Sequence, residues 1–246
     1  MNKNEYKTLH KLESTYWWHV GKNEIINRLI KKYIFPNNTR GKILDLGCGT
    51  GSLISQLQQY GEVTGVDSSP EAIRYCRSHG INNLLLAKIE TVRLPQNSFD
   101  LVTAFDLFEH VRFDEKMMKK VYTLLKPGGY VLLSVPAHKF LWSEHDEALS
   151  HVRRYSKKEL REKVLRSGFY ITRLTYSIFF FFLPIYLFRT FQTLFIKSSY
   201  PKTSYILLPD RINAFLIRLL KVEASLIGKI NLPMGVSLVC LGKKPE

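Results

Sequence analysis

The chain predicts a doubly wound α/β fold, a mostly parallel sheet with helices on both faces, and three observations predict it. First, an apolar run, Ile43-Leu44 with Leu46, gives way to glycines at alternate positions, Gly47, Gly49 and Gly51. A helical pattern follows, with Leu53, Ile54 and Leu57 on one face. Strand, glycine turn and helix start make the nucleotide-cradling half of such a fold, because a missing Cβ lets the backbone turn and a ligand come close. Second, a short strand, Glu62 to Val66, ends at Asp67, 20 residues after Gly47. An acidic strand end at that spacing is placed to accept hydrogen bonds from a ribose diol. The plainer role for Asp67, capping the next helix, is weakened because Ser68, Ser69 and Pro70 already supply a helix start. Third, strand-like and helix-like stretches keep alternating as far as Val135.

Composition sets the bounds. At 246 residues the chain makes one domain, or one domain with an appendage. Hydrophobic residues at 45% and charged at 23% describe a folded protein rather than a disordered one. The polar start, Met-Asn-Lys-Asn-Glu-Tyr, gives no secretory signal. Cys48, Cys76 and Cys240 are scattered and odd in number, which indicates neither a disulfide framework nor a structural zinc site and suits a reducing cytosol. The net charge of +15 is uneven. Residues 1–150 hold 19 Lys/Arg and 16 Asp/Glu; residues 151–246 hold 17 and 5. A basic excess outside the glycine-turn half suggests an anionic partner, whether lipid headgroup, phosphorylated substrate or nucleic acid, against the plain alternative of a solvated basic face.

In chain order, residues 1–40 read as a helical cap. Leu9 and Leu12 precede Tyr16-Trp17-Trp18-His19, and Ile25, Ile26, Leu29 and Ile30 follow at helical spacing. Adjacent tryptophans cannot share one helix face, so one of Trp17 and Trp18 is expected to pack inward and the other to cover a pocket; both as core anchors is the plain alternative. Pro36-Asn37-Asn38 ends the helix. After the glycine turn come a helix from Pro70 to His79, a third strand from Asn83 to Ala87 and a fourth from Phe99 to Phe105. A helix from Asp114 to Leu125 leads through Lys126-Pro127-Gly128-Gly129 into a fifth strand, Tyr130 to Val135.

The glycine spacing distinguishes the ligand. A dinucleotide turn wants G-x-G-x-x-G, and here the third glycine position is Ser52. The pattern Asp45-x-Gly47-x-Gly49-x-Gly51 resembles motif I of the Rossmann-like S-adenosylmethionine (AdoMet) methyltransferases. The fourth-strand run Phe99-Asp100-Leu101-Val102, the Leu107-Phe108-Glu109-His110 after it and the Leu-Lys-Pro-Gly-Gly turn resemble further motifs of that family. So does Trp142-Ser-x-His145-Asp146 with His151-x-Arg153-Arg154-Tyr155, a loop similar to that of a bacterial subgroup encoded with glycan and lipid biosynthesis enzymes. The resemblance covers nearly the whole chain. It implies a Rossmann-like, seven-stranded, mostly parallel sheet with a helical insert before the last strand, AdoMet as cofactor and S-adenosylhomocysteine as product.

By that resemblance, Gly47, Cys48 and Gly49 pack against the methionine end of the cofactor, Asp45 helps hold its amino group, and Gly51 completes the turn. Asp67 and Ser68 take the ribose. Phe105, Asp106 and Leu107 lie at the carboxyl end of the fourth strand, where ligands of parallel sheets bind. The family's Gly-Asp pair for adenine is replaced here by Ala87 and Lys88, so Ile89 and Glu90 are the nearest candidates.

The chemistry is expected in the loop from Pro136 to Tyr155, at the ligand side of the sheet. A hydroxyl or amine acceptor must lose a proton, and histidine is the usual base near neutral pH. His145 beside Asp146, and His151, are the candidates; His110 is a base or a loop anchor, and Tyr155 completes the catalytic set. A carboxylate beside a histidine orients the ring and raises its basicity. Arg154, with Trp17, Trp18 and Trp142, is expected to bind the acceptor; Arg153 either grips an anionic group of the acceptor beside it or only pins the loop. His138, His145 and His151 raise metal binding, but the family resemblance does not support it, so no metal is expected.

Ser156-Lys157-Lys158-Glu159 is a capping box opening a helix to about Ser167. A sixth strand, Phe169 to Thr175, completes a core over residues 41–175, and the final strand falls in residues 235–246, beginning at Gly235. Between them lies an insert, 176–234. Its apolar run from Ile178 to Phe188 is 11 residues, broken by Pro184, short of the ~20 a membrane span needs. A second helix, Asp210 to Ile230, puts Ile212, Phe215, Leu216, Leu219, Leu220, Leu226 and Ile227 on an apolar side and Arg211, Arg218, Lys221 and Lys229 on a basic one. Such helices lie well at an anionic membrane surface; a lid over the acceptor pocket or a homodimer face is the other reading.

The expectation is therefore an AdoMet-dependent methyltransferase acting at O or N of a small, lipid-linked or glycan-linked acceptor. It would be cytoplasmic and peripheral at the inner membrane face. No nucleic acid partner is expected, because Asp106-Leu107-Phe108-Glu109 stands where a base-binding Asn/Asp-Pro-Pro-Tyr motif would be. The competing readings are an NAD(P)-dependent oxidoreductase of the same fold and a catalytically inactive, membrane-peripheral AdoMet-binding adaptor.

Overall fold

The computed structural model describes residues 10–195 and 208–246. In chain order it contains helix α1 (Trp17–Leu29), strand β1 (Gly41–Leu46), α2 (Ser52–Leu57), β2 (Gly61–Asp67), α3 (Pro70–Ser78), β3 (Leu84–Leu86) and β4 (Phe99–Phe105). Then come α4 (Asp114–Leu124), β5 (Leu125–Pro136), α5 (Glu144–Ala148), α6 (Lys157–Arg166), β6 (Tyr170–Ser177), α7 (Phe182–Phe195), α8 (Asp210–Ile227) and β7 (Ser237–Lys243). Leu9 and residues 196–207 of the insert lie outside the described residues.

The strands form one seven-stranded sheet in the order β3-β2-β1-β4-β5-β7-β6. Only β7 runs against the rest, paired antiparallel to both β5 and β6. The expected Rossmann-like α/β sheet is thus present, and the order reverses between β1 and β4, where ligands of doubly wound sheets bind. The central strands are buried on both faces, which is why they read as continuous apolar runs. Ile43, Leu101, Leu132 and Leu241 face a core shared with α1 and α8; Leu44, Val102, Leu133 and Cys240 face one shared with α4 and α6.

Several boundaries differ from expectation. Strand β5 starts at Leu125, because Leu125 pairs with Phe99 and a register shift between Phe99 and Leu101 absorbs the Lys-Pro-Gly-Gly turn. Strand β6 runs on to Ser177, and β7 starts opposite it at Ser237 rather than at Gly235. The strand stops there because the buried Glu223 carboxylate accepts the next backbone N–H groups, Ile178 at 2.5 Å and Phe179 at 2.8 Å.

The insert packs on the cap. The buried face of α8 is Leu220, Glu223, Ala224 and Ile227. It lies against α1 at Gly21, where a Cβ would stand 2.1 Å from Leu220 Cδ1. Ile212 and Phe215, on the apolar side of the same helix, are exposed at 47% and 57%. The helix carries more apolar surface than one stripe, and the close approach at Gly21 selects which stripe is covered.

Candidate functional site

The glycine turn is tied to β2, with Gly47 N–H donating to Val66 O at 2.8 Å and Cys48 N–H at 3.1 Å. Gly47 and Gly49 have φ of +73° and +54°. A Cβ at Gly49 would meet no atom within 4 Å, so this backbone faces open space. That space is a cavity of about 500 Å³. Gly47, Cys48, Gly49, Asp67, Ser68, Ile89 and the Phe105-Asp106-Leu107 run border it, with Lys22 and Asn23 of α1 above. Asp67 accepts Gly49 N–H on one carboxylate oxygen and Ser69 N–H on the other, each at 2.9 Å. Burial, opposed by these hydrogen bonds, pushes its pKa up. Asp106 sits at φ +49°, a costly conformation for a non-glycine residue. It is held there by Lys22 and by Ser134 Oγ, which donates at 3.0 Å.

Three expected cofactor residues stand apart from the cavity. Asp45 is buried behind the turn, accepting Thr103 Oγ1 at 2.7 Å, and burial raises its pKa to about 7. Gly51 is packed against Ile81 and Cys76. Glu90 is exposed, and Lys120 Nζ fixes the backbone carbonyls of Ile89 at 2.8 Å and Glu90 at 3.1 Å.

A second cavity of about 270 Å³ adjoins the first, and the two share His19, Asp106, Leu149 and His151 along their common border. Its walls include Trp17, Trp18, His145, Arg154, Phe188 and Arg189. Both tryptophans border it, edge to face at 5.5 Å, with Trp17 buried in an apolar cluster and Trp18 half-buried beside it. The start of α1 is fixed here, its Trp17 N–H held by Asn213 of α8 at 2.9 Å.

Asp146 organises this cavity from behind. It is fully buried, and its Oδ2 closes a capping box by accepting Ser143 N–H at 3.0 Å. Its Oδ1 accepts His151 Nδ1–H and Arg154 Nε–H, both at 2.8 Å, and Arg189 Nη1 lies 3.4 Å from Oδ2. Burial alone would raise its pKa, but His151, Arg154 and Arg189 hold it well below the usual carboxylate range. The carboxylate therefore orients His151, not its neighbour His145. Burial first, and then Arg189, lower the His145 pKa to about 4, which makes it a weak base. His151 Nε2, with Nδ1 committed to Asp146, faces Glu109 Oε1 at 3.9 Å. Glu109 is 1% exposed, its Oε2 has no hydrogen-bond partner among the described residues, and burial and the Asp106 charge push its pKa well up.

Two further candidates are corrected. The Tyr155 hydroxyl donates to Asp114 Oδ2 at 2.8 Å and lies 3.1 Å from Phe108 O, away from both cavities. Trp142 is exposed on the surface, its Nε1–H donating to Glu147 at 3.4 Å. Of the two readings of Arg153, its contact with Asp114 at 3.0 Å fits the loop anchor. His110 borders the cofactor cavity with Nδ1 on Ser150 O at 3.3 Å. His138 stacks on Tyr176 at 4.9 Å, outside both cavities. Sequence reasoning passed over His19, Lys22, Glu109 and Arg189. Glu109 stood inside a quoted motif; Arg189 directly follows the apolar run that ends at Phe188.

The profile of a family described as "Methyltransferase domain" matches residues 17–174. The chain belongs to the methyltransferase domain family. That range takes in α1, the glycine turn and the loop around Asp146. The AdoMet expectation stands with this family, and the nicotinamide oxidoreductase reading falls. The first cavity fits AdoMet: the Asp67 carboxylate at the end of β2 lines it, beside a glycine face that a Cβ would fill.

Among curated proteins, the ubiquinone biosynthesis O-methyltransferase of Coxiella burnetii is 34% identical over 151 residues, 57% of this chain and 64% of that one. The corresponding Xanthomonas oryzae protein is 34% identical over 100 residues, 38% of this chain and 42% of that one. The chain thus spans under two thirds of the length of these relatives. Among solved structures, the putative methyltransferase complexed with a Haloferax volcanii Trm112 activator superposes with TM-score 0.62 at 17% identity, over 99% of this chain and 94% of that one. Phosphoethanolamine N-methyltransferase 2 of Haemonchus contortus, complexed with S-adenosyl-L-methionine, gives 0.59 at 22%, over 91% and 53%. At these identities the structural likeness speaks for the fold.

Proposed function

We propose that the chain moves a methyl group from AdoMet to a hydroxyl oxygen, or an amine nitrogen, of a small or lipid- or glycan-linked acceptor held in the second cavity. The observation that carries this reading is the shared border of the two cavities at His151, with Asp146 behind its ring. AdoMet supplies the methyl on a sulfonium centre. The chain's work is to align the acceptor with that carbon, which contributes up to about 7–11 kcal/mol, and to take the acceptor's proton. His151 Nε2 is the group for the proton, a role that contributes roughly 10²- to 10⁴-fold. Trp17 and Trp18 offer aromatic faces to a ring or chain, and Arg154 and Arg189 offer charge to an anionic group. The names of the curated relatives favour oxygen as the methylated atom.

A lipid-linked acceptor, and peripheral attachment at the cytoplasmic side of an anionic membrane, are supported by the insert. Ile185, Phe188 and Arg189 of α7 border the acceptor cavity, while Leu183, Leu187 and Phe191 are exposed at 60%, 58% and 54%. The charge balance beyond residue 150, 17 basic against 5 acidic residues, suits the same surface. Among the described residues no helix is long and apolar enough to cross a membrane. Release of S-adenosylhomocysteine, measured with and without membrane lipid extract, tests the reading. Lipid-dependent release that His151→Ala abolishes, with S-adenosylhomocysteine affinity retained, is expected. Release that persists in His151→Ala would remove His151 as the base. Sedimentation with anionic but not neutral vesicles is expected; a homodimer indifferent to vesicles would assign the exposed face of α7 to self-association instead.

A further inference from the structure

At the border of the two cavities, one ring nitrogen each of His110 and His151 and a carboxylate oxygen of Glu109 all lie within 4.8 Å of one another. From this cluster we propose that Glu109, His110 and His151 form a two-histidine, one-carboxylate site for a divalent first-row cation. The inference goes beyond methyl transfer by assigning a binding site, and its proposed role rests on the acceptor occupying the second cavity.

Three observations carry it. Both histidines have Nδ1 committed to an acceptor: His151 to Asp146 Oδ1 at 2.8 Å and His110 to Ser150 O at 3.3 Å. A carboxylate and a carbonyl fix Nδ1 as the N–H, which leaves the bare lone pair of a neutral ring on Nε2. Metal-ligating histidines are held in this way, the far ring nitrogen donating to a carboxylate or carbonyl. Second, His151 Nε2 and Glu109 Oε1 face each other at 3.9 Å. Third, Glu109 is 1% exposed and its Oε2 is buried without a hydrogen-bond partner among the described residues. Buried carboxylate oxygens are expected to be satisfied, so a carboxylate that faces an imidazole through one oxygen and leaves the other unsatisfied asks for a positive centre.

The donor set suits a borderline cation. Two imidazoles and a carboxylate on one face hold Zn²⁺ in hydrolases and non-haem Fe²⁺ in oxygenases, with the remaining positions open. Ligands at about 2.0–2.2 Å from an ion stand nearer together than 4.8 Å, and His110, the exposed member, can rotate inward. The open positions would face both cavities. An acceptor hydroxyl bound there has its pKa lowered. Its proton passes to solvent, the oxygen lone pair forms the new bond to the methyl carbon, and the carbon–sulfur electron pair returns to sulfur. In the loaded chain His151 holds the ion instead of taking the proton itself.

The test uses the full chain, stripped of metal with a chelator and titrated with Co²⁺, whose visible absorption reports nitrogen and oxygen ligation. One Co²⁺ per chain is expected, displaced by Zn²⁺. Glu109→Gln and His110→Ala are each expected to weaken it by more than the about 10- to 100-fold that an outer partner's loss costs. The exposed position of His110 keeps that variant folded. Unchanged Co²⁺ affinity in His110→Ala, or no uptake by the wild-type chain in excess metal, overturns the site. Calorimetric binding of S-adenosylhomocysteine to the metal-free chain runs beside it. If it binds and no Co²⁺ does, methyl transfer with His151 as direct base stands and the cation falls. If Co²⁺ binds and S-adenosylhomocysteine does not, the cation site stands and the methyl-transfer reading falls.

Discussion

Asp146→Asn is the sharpest probe of how the acceptor cavity is held together. The substitution keeps the side chain's size and one acceptor oxygen, but removes the charge. In the native chain one oxygen accepts from His151 and Arg154 at 2.8 Å, and the other accepts Ser143 N–H at 3.0 Å with Arg189 3.4 Å away. An asparagine can serve only one of those sides, and its NH₂ then faces a donor. Arg154, 3% exposed, is left with the Ala137 carbonyl at 2.8 Å, while burial pushes the pKa of neighbouring Glu109 well up. Breaking a buried ion pair from one side costs about 3–5 kcal/mol. At about 2–4 °C per kcal/mol for a chain of this size, the melting temperature should fall by about 6–20 °C. The pH dependence separates charge from packing. Asp146 has a folded pKa held below its unfolded value of about 3.9, so its contribution is full above pH ~4 and is lost as pH falls below that. Urea unfolding of wild type and variant should show a gap that is constant from pH 7 to about 5 and narrows below pH ~4 by up to about 1.4 kcal/mol per pH unit. A gap under about 1 kcal/mol at neutral pH, or one that keeps its size to pH 3, would refute the argument.

Two further substitutions separate binding from scaffolding. Asp67→Ala removes the carboxylate bordering the first cavity and its hold on Gly49 N–H, so calorimetry with S-adenosylhomocysteine should show affinity lowered by at least about tenfold, the worth of one charge-assisted hydrogen bond of ~1.5–3 kcal/mol; unchanged affinity would remove the ribose assignment. Tyr155→Phe deletes the hydroxyl on Asp114 and Phe108 O and should cost about 1–3 kcal/mol of stability while S-adenosylhomocysteine affinity stays at wild type; a lost affinity at unchanged stability would return Tyr155 to the site.

What the sequence made legible divides along a physical line. The glycine turn, Asp67 and the Phe105–Leu107 strand end could be read because each rests on local chain geometry: a positive φ, a strand end, a turn of fixed length. The pairing of Asp146 could not. Sequence adjacency pointed to His145, but Asp146 sits at the third position of a short helix with its carboxylate turned back to cap Ser143. From there the side chain reaches His151 and Arg154, while its neighbour leaves on another face of the helix. Tyr155 was misread for the related reason that the loop's polar residues alternate between the cavity and Asp114, and nothing local marks which is which.

The insert shows the same limit from the other side. Its length and basic excess are legible, yet the face that α8 buries is chosen by Gly21 on α1, some 200 residues earlier, where absence of a side chain admits Leu220. α7 of the same insert borders the second cavity, with Arg189 reaching Asp146 while Leu183 and Leu187 stay exposed. One helix thus borders the second cavity, touches the carboxylate that orients His151, and leaves apolar side chains exposed on its other side. A lid and a membrane contact would use different faces of α7: Phe188 and Arg189 stand on the cavity, while Leu183 and Leu187 are exposed.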